Sequence, residues 1–196
     1  MSTETVELFY AILALLAVGA VATLVVVRLL ANGSAGARGW YGSIALFVGP
    51  NAIAMAFWVA LLATMGSLYF SEVAHFDPCR LCWYQRIAMY PLAVLLGIAA
   101  VRRDDGIRIY GRALSTIGAA VAVYHVALEW IPALDTGACG IGPACTVVWF
   151  RALGFISLPT LALIAFVFIF TLLSVRPPGV DGLDGEPHRT LERSPE

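Results

Sequence analysis

The sequence predicts an all-α integral membrane protein that crosses the bilayer five times, and three observations carry that prediction. Hydrophobic side chains make up 60% of the 196 residues and charged ones only 13%, where soluble domains average roughly 45–50% and 25%. A globule of this size has too much surface for its volume to hide so much apolar side chain. Five apolar runs follow one another, at roughly 6–30, 44–70, 83–101, 113–131 and 155–175, each near the ~20 residues that span a hydrocarbon core as helix. Stretches such as AVLLGIAAV do not alternate, so barrel strands are excluded and each run must satisfy its own backbone as α-helix. The apolar content excludes a disordered chain. The formal charge of −1 excludes nucleic-acid binding through a broad basic face.

The first run reads as a retained helix rather than a cleaved signal, because its leader MSTETVE is acidic and its apolar stretch is long. Together with its connection it makes up residues 1–43. The second to fifth runs make up residues 44–176. The tail at 177–196, PPGVDGLDGEPHRTLERSPE, is polar and broken by Pro and Gly, and is expected to be disordered in the cytoplasm.

All twelve basic residues are arginine, so lysine Schiff-base chemistry is excluded. Nine of them fall between the first and second runs, between the third and fourth, or after the fifth; Arg80, Arg86 and Arg151 fall on the other side. Positive charge concentrates on the cytoplasmic side. The N-terminus is therefore expected outside, the C-terminus inside, and the loops at roughly 71–82 and 132–154 outside. Those two loops hold all four cysteines, Cys79 and Cys82 in CRLC, Cys139 and Cys145 in CGIGPAC. The topology follows from arginine alone, so their common placement on the oxidising side is independent support for disulfide chemistry.

Two structural staples are one reading of these pairs. Closing the four-residue ring of CRLC would contribute only about 2 kcal/mol, whereas a bond to the second pair would contribute about 4 kcal/mol. Close spacing is thus poor for stability but suits a reversible couple, in which one thiolate attacks a mixed disulfide formed at the other. A four-cysteine zinc site is a further alternative, disfavoured by the five residues separating the second pair. Asp77-Pro78 is a good helix start, Asp as N-cap and Pro in the first turn, which sets both cysteines near the positive end of a helix dipole, where thiolates are favoured. Arg86 lies four residues beyond Cys82, on the same face. Its charge is expensive near the bilayer edge. Either it snorkels and caps the span, or it stabilises a thiolate or a ligand's developing anion; the second is favoured.

The segment Pro78-Cys79-Arg80-Leu81-Cys82-Trp83-Tyr84-Gln85-Arg86 resembles the P-C-x-L-C-x-x-Q-R signature of the disulfide bond formation protein B family (DsbB, with its BdbC branch). Tyr124-His125, fourteen residues before Cys139, and the run Trp149, Leu153-Gly154-Phe155, Ser157-Leu158-Pro159 agree with it. The resemblance covers about 51–175. It implies a four-helix transmembrane bundle in the plasma membrane, to which the first run is one extra N-terminal transmembrane helix. It implies an enzyme that reoxidises a thioredoxin-fold, DsbA-like thiol oxidase and passes the electrons to a quinone, ubiquinone or menaquinone. By match, Cys79 and Cys82 are the quinone-coupled pair, Cys82 contacts the quinone, and Arg86 stabilises its reduced form. Cys139 and Cys145 exchange with the partner, and His125 lies near the quinone headgroup. The extra helix and the short second loop depart from the usual pattern. A vitamin K epoxide reductase-like enzyme is an alternative that chain order disfavours, since there the CxxC pair follows the loop pair. A non-catalytic membrane subunit with structural disulfides is the alternative of a different class.

Of the remaining polar and aromatic residues, Glu129 is expected as a solvated helix end and Trp130 as a belt anchor. His75 is expected on the loop surface and His188 in the solvated tail. Trp83, Tyr84 and Tyr90 are expected either to wall a quinone pocket or to sit in the aromatic belt. Gly118-Ala119-Ala120 is expected to pack helices closely.

Overall fold

The computed structural model describes residues 2–135, 137, 139–140 and 143–176; the expected disordered tail lies outside them. Helix α1 (Thr3–Ala31) starts at Ser2, whose hydroxyl accepts the Thr5 N–H. Helix α2 (Ala35–Leu68) starts at Ser34, which caps through the Ala37 N–H. That cap explains why α2 begins nine residues before the apolar run does. At its far end α2 widens into a single π-type turn, Tyr69–Val73. Helix α3 (Arg80–Arg102) and helix α4 (Ile107–Trp130) follow, then helix α5 (Leu158–Ser174).

Helix α5 begins later than its apolar run. Ala152 and Ile156 pair in an isolated bridge, with Leu153 at φ 54° and Gly154 at φ 83°, so the chain turns back before Ser157 starts the helix. Helices α1 to α4 are long and apolar enough to cross a membrane. At 17 residues, α5 stands at the lower limit for a span. The chain is a multi-pass membrane protein whose regular elements, among the described residues and apart from that bridge, are all helical.

Helices α2 to α5 form the bundle. Its buried centre is built from Ala56, Ala60, Leu92, Leu96, Ala122, Phe166, Ile169 and Leu172. Small residues let the helices approach: a Cβ on Gly118 would collide with the Phe166 ring, and one on Gly111 with Leu173. Helix α1 packs on the outside against α2 and α5, and buries only Val6, Ala11, Ala14 and Leu24. The outer surface is apolar, with Phe47 72% and Leu16 66% exposed, as a lipid-facing surface must be.

At the end of the bundle away from the cysteines, Arg108 is buried. Its guanidinium donates to the Val175 carbonyl at 2.9 Å, the Gly49 carbonyl at 2.8 Å and the Asp105 carboxylate at 2.8 Å. One cation thereby ties α2, α4 and the end of α5 together.

Candidate redox site

The site is built at the start of α3. Cys79, not Asp77, is the N-cap: its backbone is extended (φ −71°, ψ 174°) and its sulfur accepts the Cys82 N–H. Pro78 pushes Asp77 toward extended backbone, and the cysteine sulfur takes the role that an oxygen plays in most caps. The helix therefore starts two residues later than Asp77-Pro78 suggests. The cap draws the two sulfurs to 3.1 Å, with Cys79 buried and Cys82 half-buried.

A second contact reaches Cys79 from α4. His125 is buried, and its Nε2 lies 3.6 Å from Cys79 Sγ. The Gln85 amide nitrogen lies 3.1 Å from His125 Nδ1. An amide nitrogen only donates, so Nδ1 accepts and Nε2 carries the proton, aimed at the sulfur. The Cys79 thiol is held down at about 4, first by its hydrogen bond with the Cys82 thiol and then by His125, against the opposing effect of burial. These contacts favour the thiolate on Cys79 over that on Cys82.

Arg86 does not snorkel away. Its Nε donates to Ser67 Oγ at 3.0 Å and its Nη2 to the Ser67 carbonyl at 3.1 Å. Tyr90 donates to the same hydroxyl at 3.2 Å, and the guanidinium lies 5.1 Å from the Trp83 ring centre. Cys82, Gln85 and Arg86 line a cavity of about 240 Å³ between α1, α2, α3 and α5. Tyr90 belongs to its wall, whereas Trp83 and Tyr84 do not and are about half exposed on the outer surface. Phe76 stacks on both Phe70 and Trp149, at 5.8 and 4.9 Å between ring centres, and the three rings roof the cavity at the cysteine end. His125 stands behind Cys79 and Gln85, off the cavity wall.

Cys139 and Cys145 form a disulfide. Both are buried, in one cluster with Cys79, Leu81 and Leu128, against which Cys82, Val121 and Tyr124 pack. The structure therefore brings all four cysteines together. Gly140, at φ 59°, lies close under the Arg80 guanidinium, and it is this left-handed backbone that favours glycine there. Cys79, Cys82 and His125 also set three donor atoms within 4.8 Å, a spacing that a soft metal ion could use.

Glu129 is a correction. It is buried rather than solvated, because the returning loop covers it: Ser157 donates to its carboxylate and Arg151 to its carbonyl at 3.2 Å. Trp130 is exposed as expected, with the Arg151 guanidinium 4.2 Å from its ring centre. His75 is exposed at φ 56°. Ser67 and the contact between Gln85 and His125 were not foreseen. Ser67 is signalled only as a polar residue inside an otherwise apolar run, and Gln85 only as a fixed position of the P-C-x-L-C-x-x-Q-R signature.

Comparison with known proteins adds a family. Residues 50–175 match the model of the family described as disulfide bond formation protein DsbB. A probable disulfide formation protein C 1 of Bacillus cereus is 46% identical over 120 residues, covering 60% of this chain and 86% of that protein. The disulfide bond formation protein C of Bacillus subtilis is 43% identical over 120 residues, covering 60% and 87%. A probable disulfide formation protein of Oceanobacillus iheyensis is 43% identical over 118 residues, covering 59% and 81%. No solved structure matches the chain.

Proposed function

The chain belongs to the disulfide bond formation protein DsbB family and is a disulfide-forming membrane protein; we propose that it is a protein dithiol:quinone oxidoreductase that reoxidises a thioredoxin-fold thiol oxidase outside the plasma membrane. One observation carries this reading. The Cys79–Cys82 pair stands between a disulfide and a cavity, with Cys79 packed in the cluster of Cys139–Cys145 and Cys82 on the cavity wall.

The cavity fits a quinone, ubiquinone or menaquinone. Its polar groups gather at one end, where Ser67 takes two of the five guanidinium N–H groups of Arg86 and leaves three for a carbonyl. The rest of the wall is apolar, with Leu161, Ala162 and Ala165 among it. Ligand cavities of roughly 300–1,000 Å³ hold drug-sized molecules, so this one suits a quinone headgroup and the beginning of a tail. A quinone bound there supplies an acceptor for two electrons and two protons.

The chain's own residues do the rest. A thiolate of the reduced partner attacks the Cys139–Cys145 disulfide, forms a mixed disulfide and displaces one loop thiolate. The partner's second thiol resolves it, leaving the partner oxidised and the loop pair a dithiol. That dithiol exchanges with a Cys79–Cys82 disulfide. The first attack, at Cys79, releases Cys82 on the cavity side. The second releases Cys79, which leaves readily because its thiolate is stabilised and a low-pKa thiol is the better leaving group. His125 acts here as a donor to Cys79. Reclosing Cys79–Cys82 gives up two electrons and two protons, and Arg86 stabilises the negative charge that develops beside Cys82.

Purified protein given a reduced thioredoxin-fold dithiol protein should consume one quinone per partner disulfide formed. Partner oxidation without loss of quinone absorbance would overturn the reading. For orientation, His75→Cys in a chain otherwise free of cysteine should be labelled by an impermeant maleimide in intact cells. Labelling only after the membrane is opened would reverse the topology.

A further inference from the structure

We propose that α1 is the outer wall of the quinone cavity and sets which quinone the cavity admits, an inference that rests on the quinone reading above. Helix α1 lies wholly outside the residues that match the family. Even so, Tyr10, Leu13 and Ala14 face the cavity that Cys82, Gln85 and Arg86 line.

The seat of α1 is specific. Tyr10 donates its hydroxyl to the Leu62 carbonyl of α2 at 3.1 Å. Unpartnered, that hydroxyl would be costly in an apolar setting, so the bond fixes both depth and rotation. The Tyr10 ring fills a notch at Gly66, where an added Cβ would collide with it, and its centre lies 5.9 Å from that of Phe70 in the cavity roof. The residue after Gly66 is Ser67, which holds Arg86. Tyr10 therefore closes the polar end of the cavity against the same turn of α2 that anchors its cation.

One turn deeper stands Ala14, buried and small. Its missing bulk is cavity volume on the apolar side, away from Arg86. A ligand whose ring carbonyl meets Arg86 directs its ring substituents or first isoprenoid unit toward Leu13 and Ala14. These α1 residues thus decide how bulky that part can be.

The test is photolabelling of the full-length protein in detergent with a short-tailed azidoquinone, read by peptide mapping. Adducts are expected on α1 within residues 10–14 as well as on α3. Ala14→Leu should remove the α1 adducts and raise the dissociation constant for the same quinone roughly tenfold. Exchange of the partner with Cys139–Cys145 should be unchanged. Adducts on α3 and α5 alone, with Ala14→Leu binding as wild type, would overturn the role of α1 and leave the quinone reading standing. Labelling absent from every cavity wall would overturn both. If Ala14→Leu does not fold, the wild-type map still decides, since it needs no variant.

Discussion

The two cysteine pairs are held in opposite ways. Cys79 and Cys82 sit at a helix start where each contact is fixed: a cap to the Cys82 N–H, a histidine behind Cys79, a glutamine behind the histidine. Cys139 and Cys145 sit, among the described residues, outside any helix, where Gly137 and Gly140 take φ of 83° and 59°. A pair that must hold a set charge beside a cavity benefits from preorganised donors. A pair that must meet a partner benefits from backbone that can rearrange without breaking a helix. Both loop cysteines are buried, so the proposed exchange needs their cover to open.

The sharpest way to break the comparison is to disable each pair in turn. Cys82→Ser should abolish quinone reduction while the loop pair still oxidises partner once, followed by non-reducing gels. Given oxidised partner, Cys145→Ser should instead accumulate a mixed disulfide at Cys139, whose thiolate attacks the partner's disulfide, and Cys139→Ser one at Cys145 if that is the sulfur that exchanges. Failure of both variants to trap any mixed species would end the proposed division of labour.

Next in size is Arg86→Met, which removes the charge but keeps length. Loss of one preorganised donor typically costs about 10²–10³ in rate, and quinone reduction should fall on that scale with the single-turnover exchange at the loop intact. Arg86→Lys should recover only part, because an ammonium lacks the planar fork. Wild-type rates at saturating and limiting quinone would return Arg86 to a structural role.

Ser67→Ala should be milder, raising KM for quinone by roughly tenfold with a smaller change in kcat. It should add almost nothing on top of Arg86→Met, since two residues of one network are not additive. A full additional loss in the double variant would show that Ser67 acts apart from the arginine.

The smallest effect is spectroscopic. Reduced protein should show thiolate absorbance at neutral pH that is lost on acidification near pH 4, the value held by Cys79, and His125→Leu should move that midpoint upward. The folded value lies below the ordinary thiol value of 9.0. Cys79 therefore contributes stability to the reduced fold above that pH, and the contribution is lost as pH falls through about 4. A midpoint near that of a free thiol would remove the preorganisation from which the comparison starts.

The spans were legible in sequence because apolar length alone determines them, and CRLCWYQR singled out Cys79, Cys82 and Arg86. What was missed shares a physical cause. Uncharged polar residues inside a span carry no periodic or charge signal: Ser67 acquires its meaning only when α3 brings Arg86 to it, and Gln85, a fixed position of the signature, only when α4 brings His125 to it. Glu129 looked solvated because it ends a helix; Ser157, 28 residues on, covers it. Asp77 looked like the cap because side-chain oxygens usually are, and the sulfur of Cys79 took the place. The extra helix could be recognised as a span, but its position over a cavity could not, since one face of α1 is as apolar as another.

Arg108 gives the bundle a mechanical asymmetry. Its clasp on Val175 and Gly49 pins α4 to α5 and α2 at one end, while the other end is made of loops and stacked rings. From Arg108 to His125, α4 climbs roughly 25 Å at 1.5 Å per residue, so a pivot of roughly 4° about the clasp carries His125 about 2 Å. A displacement of that size separates a donor from a sulfur or parts two stacked rings. Any rocking of these helices would have its fulcrum at Arg108, at the end of the bundle away from the four cysteines.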